Sequence, residues 1–158
     1  RQPGFVDEVA SALAAVDLPG DWLEIELTES ILLRDASEAR ERLEALARLG
    51  VRLSIDDFGT GYSSLGYLKQ LPIHKLKIDR SFIRGLPADE RDAGIVRAVV
   101  QMADCLGLAV IAEGVETTAQ REFLAAAGCT AFQGFLVAPA LPAAAFEDVH
   151  DRHLPVTA

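Results

Sequence analysis

Five times along this chain a short apolar run that reads as a β-strand is followed by a run that reads as an α-helix or its approach, and that alternation limits the fold more than any other feature. The strand-like runs are Trp22 to Thr28, Arg52 to Phe58, Lys75 to Asp79, Ala109 to Glu113 and Ala131 to Val137. In the first, Leu23, Ile25 and Leu27 alternate with Glu24 and Glu26, the period-two pattern of a strand. Helical spacing predicts helices from Phe5 to Val16, Ser37 to Leu49, Ser63 to Leu71, Asp92 to Leu106, Thr118 to Ala127 and about Ala143 to His150. Pro19-Gly20, Pro72 and Gly128 punctuate the pattern. Repeated βα units imply a parallel sheet with right-handed crossovers. A doubly wound sheet and a section of a (β/α)₈ barrel both fit. Polar residues recur at the C-terminal ends of different strands, where barrel active sites assemble, and this favours the barrel. A whole barrel takes about 250 residues and eight strands. The expected fold is therefore α/β, a TIM-type barrel that is incomplete, with about five βα units, two unpaired edges and an exposed interior.

The 158 residues suit a single domain, and half of them are hydrophobic, enough to bury a sizeable core. Lys and Arg number 15 against 24 Asp and Glu, a net charge of 15 − 24 = −9. Such a chain repels polynucleotide backbones and anionic membranes, so no nucleic acid polymer is expected as a partner. A site for divalent cations is compatible with the same charge. No apolar run approaches the ~20 residues that span a bilayer, and the N-terminus has no signal-peptide pattern. The chain reads as cytoplasmic. Cys105 and Cys129 stand far apart among apolar residues, which reads as two reduced core thiols. The chain begins at Arg1, has Met102 as its only methionine and contains no asparagine. The first two features read as a piece of a longer polypeptide; the third limits the ligands the chain can offer.

Chemistry-bearing residues gather at the strand ends. These are Glu26, with Glu29 in the next loop; Asp56-Asp57; Lys77 and Asp79; Glu113, with Glu116 in the next loop; and Gln133. Singly, each has an ordinary structural use: an Asp before a helix is often an N-cap, and Lys-x-Asp on a strand is often an ion pair. Together they are harder to dismiss, because unpaired buried charge is costly. Converging carboxylates raise one another's pKa, and hard divalent cations remove that repulsion. Adjacent Asp56 and Asp57 can serve two metals, an arrangement suited to in-line attack of water on a phosphodiester. Gly59-Thr60-Gly61 permits unusual backbone angles and close approach to a ligand, with Ser63 or Ser64 capping the helix beyond. Tyr62 and Tyr67 read as packing residues.

In order and spacing, ELTES (Glu26 to Ser30), DDFGTGYSSL (Asp56 to Leu65), KLKIDRSFI (Lys75 to Ile83), AEGVET (Ala112 to Thr117) and QGF (Gln133 to Phe135) resemble the EAL phosphodiesterases. The resemblance runs from Phe5 to about Phe146. It implies a barrel that hydrolyses cyclic di-GMP to linear pGpG with Mg²⁺ or Mn²⁺ in a two-metal centre. By the same resemblance Glu26 is a metal ligand, Asp56 the ligand shared by both metals and Asp57 a ligand of the second. Lys77 holds and polarises the attacking water, with a pKa lowered by the cations, and Glu113 is the general base. Glu29, Asp79, Glu116 and Gln133 are supporting residues. The family's Glu-Ala-Leu strand and an Asn-bearing strand should precede Arg1, which makes residues 1–150 the C-terminal portion of one such domain and 151–158 a tail.

Two departures stand out. Glu44-Ala45-Leu46 repeats the signature tripeptide, but inside the charged run SEARERLEALARLG, where a solvated helix residue is expected. After QGF the family continues with an aromatic residue and Arg-Pro, whereas this chain has Val137-Ala138-Pro139. The alternatives are a non-catalytic module that binds the dinucleotide or a protein, and a metal-dependent barrel enzyme that abstracts a proton with Lys77 or Glu113. Homodimerisation, strand exchange or upstream residues would cover the open edges, and family members carry sensor or GGDEF domains. The 158 residues alone are expected to hydrolyse weakly or not at all.

Overall fold

The strand-like runs form one five-stranded parallel sheet in the order β1-β2-β3-β4-β5, each strand pairing with the next in sequence. The computed structural model describes residues 4–28, 36–59, 65–143 and 145–146. The elements are α1 (Phe5–Ala15), a single 3₁₀ turn (Gly20–Trp22), β1 (Glu24–Thr28), α2 (Ala36–Arg48), β2 (Arg52–Phe58), α3 (Leu65–Leu68) and β3 (Lys75–Ile78). There follow α4 (Arg80–Ile83), α5 (Glu90–Leu106), β4 (Ala109–Glu113), α6 (Thr118–Ala126) and β5 (Ala131–Gln133). A doubly wound sheet reverses its strand order at a switch point. This one never reverses, so of the two candidate architectures the barrel section is the one observed.

One face of the sheet is apolar. Leu53, Ile55, Leu76, Ile78 and Ala112 are fully buried, as are Val96 and Ala103 of α5 and Leu124 of α6. Each such side chain contributes about 1.5–3 kcal/mol on leaving water, alanine less. The opposite face carries Glu24, Glu26, Ser54, Lys75 and Lys77, at the alternate strand positions that a barrel turns inward. Lys75 Nζ meets Glu24 Oε2 at 2.5 Å across the intervening strand, a lower polar layer beneath the strand ends.

Helix termini follow local chemistry. Asp89 caps α5 by accepting from the N–H groups of Arg91 and Asp92, and Gly107 closes that helix in the left-handed region. Thr117 and Gln120 form a capping box at the start of α6.

Several expectations are corrected. Trp22 belongs to the 3₁₀ turn and is 77% exposed, so β1 starts at Glu24. The last strand ends at Gln133 rather than Val137, because the chain turns at Gly134, whose carbonyl accepts from the Val137 N–H. Helix α4 was not foreseen from spacing. Cys129 is buried but Cys105 is exposed; both are free thiols. Glu44 lies on α2 paired with Arg40 at 2.9 Å, while Leu46 points into the core, as expected of a helical Glu-Ala-Leu. The expected helix near Ala143 to His150 falls largely outside the described residues, and the tail 151–158 falls wholly outside. So do Ser63, Ser64 and Tyr62. No helix among the described residues is long and apolar enough to cross a membrane.

Candidate active site

Three strands deliver carboxylates to one ammonium group. Lys77 Nζ, on β3, lies 2.8 Å from Glu26 Oε1 of β1, 3.1 Å from Asp56 Oδ1 of β2 and 2.7 Å from Glu113 Oε1 of β4. The lysine side chain is 7% exposed, so these charges interact through a medium less screening than water. Burial alone would pull the Lys77 pKa down. The carboxylates of Glu113, Glu26 and Asp56 beside it outweigh that and hold it well above lysine's ordinary value. With carboxylates alone around it the shift is thus upward; the lowered value expected from the sequence assumed cations beside it.

Asp56 and Asp57 reach the same site because β2 is irregular. Successive side chains of a regular strand point to opposite faces. Here the register with β3 shifts between Ile55 and Phe58, and Asp57 takes a φ of 54°. A bulge with a left-handed residue breaks the alternation, at a cost in backbone strain characteristic of functional sites. The outcome is that oxygens of Asp56, Asp57 and Glu113 all lie within 4.8 Å of one another. Burial, then repulsion from Asp56 and Asp79, pushes the Asp57 pKa up.

These residues fit a hard cation. The donors are all carboxylate oxygens, and Asp56 Oδ1 is buried with no hydrogen-bond partner among the described residues, although Lys77 stands at ion-pair distance. Such an atom is one a metal would satisfy. Asp56 and Asp57 are placed to hold it, with a Glu113 oxygen within 4.8 Å of theirs.

Other residues that the sequence singled out sit as follows. Gln133 Nε2 donates to Glu113 Oε1 at 2.7 Å, across the β4–β5 pairing that aligns the two residues. Asp79 is the N-cap of α4, accepting from the Ser81 N–H at 2.9 Å, and it touches Asp57 without joining the Lys77 group. Burial would raise the Asp79 pKa, but the bonds from Ser81 lower it. Glu116 is exposed, apart from Lys77, on the wall of a cavity of about 690 Å³ that also takes in Glu113, Gln133, Arg80, Arg84 and Phe135. Gly59, at φ 100°, leaves room for the ring of Phe82, which a Cβ there would approach to 3.0 Å. Glu29, Thr60 and Gly61 lie outside the described residues.

Two sets were missed. The Glu24–Lys75 pair was legible as the position two residues before Glu26 and Lys77, on the same faces. Arg80 of α4 and Arg84, its C-cap, had no such signal, since that helix itself was unforeseen.

The EAL domain family model matches residues 1–140. The chain is 52% identical over 140 residues to the bifunctional diguanylate cyclase/cyclic di-GMP phosphodiesterase MucR of Pseudomonas aeruginosa, covering 89% of this chain and 20% of that protein. It is 50% identical to the cyclic di-GMP phosphodiesterase NbdA of the same organism, covering 91% and 18%. The chain thus spans about a fifth of these relatives' length. Among solved structures, the PaMucR phosphodiesterase in complex with c-di-GMP superposes with a TM-score of 0.88 at 50% identity, over 92% of this chain and 59% of that one. The EAL domain of Mycobacterium smegmatis DcpA gives 0.90 at 40% identity, over 98% and 70%. Klebsiella pneumoniae BlrP1 with manganese and cyclic di-GMP gives 0.81 at 36% identity, over 88% and 36%.

Proposed function

The chain belongs to the EAL domain family, and from that premise we propose that its strand ends form the downstream part of a metal-dependent phosphodiesterase centre that opens cyclic di-GMP to linear pGpG. The observation that carries this reading is the convergence of Glu26, Asp56 and Glu113, from three strands, on the buried Lys77. Residues 1–150 then belong to one EAL domain. Sensor or GGDEF domains elsewhere in the polypeptide and homodimerisation are part of the same proposal, as is a cytoplasmic location.

Charge favours two divalent ions, Mg²⁺ or Mn²⁺. Glu26, Asp56, Asp57 and Glu113 against the single Lys77 leave 4 − 1 = 3 negative charges, more than one such cation balances. Glu26, Asp56 and Asp57 would hold them. Bound there, the ions would neutralise the phosphate and lower the pKa of an attacking water. The protein's own share is positional. Glu113 Oε1 accepts the proton of that water, oriented by the Gln133 amide at 2.7 Å. Lys77 Nζ donates from 2.7 Å away to the same region and fixes the water against the base. Glu29 and Glu116 support the neighbouring loops, and Gly59-Thr60-Gly61 approaches the substrate. Phe135 and Val137, 72% and 62% exposed on the adjoining cavity, offer an apolar wall to a planar base.

The chain contains no asparagine, so the Asn ligand implied by the resemblance comes from outside it. A complete EAL domain carrying these residues, incubated with cyclic di-GMP and Mn²⁺, is expected to release the linear dinucleotide, and EDTA to stop it. The 158 residues alone are expected to do so weakly or not at all. Hydrolysis that survives chelation would count against the reading.

A further inference from the structure

We propose that Gln120 is a positioning residue, clasping the loop behind Glu113 to the helix behind Lys77. It is 5% exposed, while its neighbours Arg121 and Glu122 face solvent. Its Oε1 accepts from the N–H groups of Glu116 at 2.8 Å and Thr117 at 3.0 Å. Its Nε2 donates to the carbonyl of Ile83 at 3.1 Å, from 37 residues away in sequence. The Thr117 bond completes the capping box of α6 and the Glu116 bond extends it, and a glutamate oxygen accepts both equally well. The third needs an amide, and it reaches α4. That bond ties together parts of the fold that serve different sides of the site.

The geometry shows what is tied. Helix α4 starts two residues past Ile78, the end of the strand that holds Lys77, and its N-cap is Asp79. Loop 114–117 starts where β4 ends at Glu113. The loop meets α4 at a second point as well: a Cβ on Gly114 would lie 2.7 Å from Arg80 Cβ. On its other side Val115 is held by the end of β5 and the turn after it, its N–H donating to the Gln133 carbonyl at 3.0 Å and its carbonyl accepting from the Leu136 N–H at 3.0 Å. The Glu113–Lys77 separation of 2.7 Å is thus set by β3–β4 pairing below and by the Gln120 clasp above. Gln120 also borders the 690 Å³ cavity, but its amide is engaged by Glu116, Thr117 and Ile83, so the clasp acts through Glu113 and rests on the reading of Glu113 as base.

The test uses the complete EAL domain, with hydrogen exchange at Glu116 and Thr117 and steady-state kinetics on cyclic di-GMP. Gln120→Met keeps the length and removes both polar ends. It is expected to raise exchange at those two amides and to lower kcat about 10- to 100-fold with KM within about twofold, since sub-ångström displacement of a base is that costly. Gln120→Glu keeps the acceptor and loses the donor to Ile83, so the amides stay protected while kcat still falls. Leu124→Ala, in the apolar core of the same helix, is the control for stability alone: it lowers the melting temperature and leaves kcat per folded molecule unchanged. A Gln120→Met enzyme whose kcat per folded molecule equals that of the unaltered domain or of Leu124→Ala overturns the clasp. If the unaltered domain leaves cyclic di-GMP intact, the proposed activity fails by itself; unchanged exchange at Glu116 and Thr117 in Gln120→Met then sinks the clasp, and faster exchange upholds it.

Discussion

Lys77 shows how one residue fixes a site. Three carboxylates surround it, and without it they would repel one another in a partly buried setting. Lys77→Met is expected to destabilise the metal-free protein by about 3 kcal/mol, the lower end for a broken buried pair because Glu26 is half exposed. Urea unfolding measures this, and added Mn²⁺ should restore part of the loss; an unchanged midpoint would show that the cluster is not held by the lysine. The lower pair behaves differently. Burial would raise the Glu24 pKa, but the Lys75 ammonium beside it leaves it below the ordinary 4.5. A carboxylate depressed in the folded state stabilises above its unfolded pKa, and the contribution is lost as pH falls through the folded one. Stability should therefore drop below about pH 4.5, and Glu24→Gln should flatten that drop. An equally steep acid limb in the variant would remove Glu24 as its source.

At the scale of elements, strand cores were legible and their ends were not. β2 and β4 have the bounds that the apolar pattern gave, Arg52–Phe58 and Ala109–Glu113. The pattern failed where backbone geometry overrides hydrophobicity: at Trp22, drawn into a 3₁₀ turn, and beyond Gln133, where Gly134 turns the chain. Site residues on strands were legible because a charge interrupting an apolar run needs a reason. The bulge that swings Asp57 round, the cap made by Asp79 and the helix bearing Arg80 were not, because they depend on register and loop path rather than on periodicity. Gly134 illustrates the loop path. A Cβ there would sit 2.3 Å from Val115 N and O, both backbone atoms that cannot give way. Gly134→Ala should cost about 1–3 kcal/mol, as overpacking does, and should part Gln133 from Glu113. The expected readout is a lowered melting temperature together with lowered turnover per folded molecule; a fully active variant would show that the β4–β5 junction does not position the base.

For the whole molecule, strand order is what converts scattered carboxylates into a site. Each strand pairs with its sequence neighbour, so the strand ends come round in chain order and present Glu26, Asp56, Lys77, Glu113 and Gln133 along one rim. The chain's acidity, −9 overall, is compatible with a site that meets an anionic dinucleotide through cations rather than through a basic surface. The most direct test separates turnover from binding in one variant. In the complete domain with Mn²⁺, Glu113→Gln should lower kcat about 10²- to 10⁴-fold, the range for a lost general base. Its affinity for cyclic di-GMP, measured by calorimetry, should stay within a few-fold of the unaltered domain. Turnover that is unchanged by Glu113→Gln would contradict the assignment of this cluster as the hydrolytic centre.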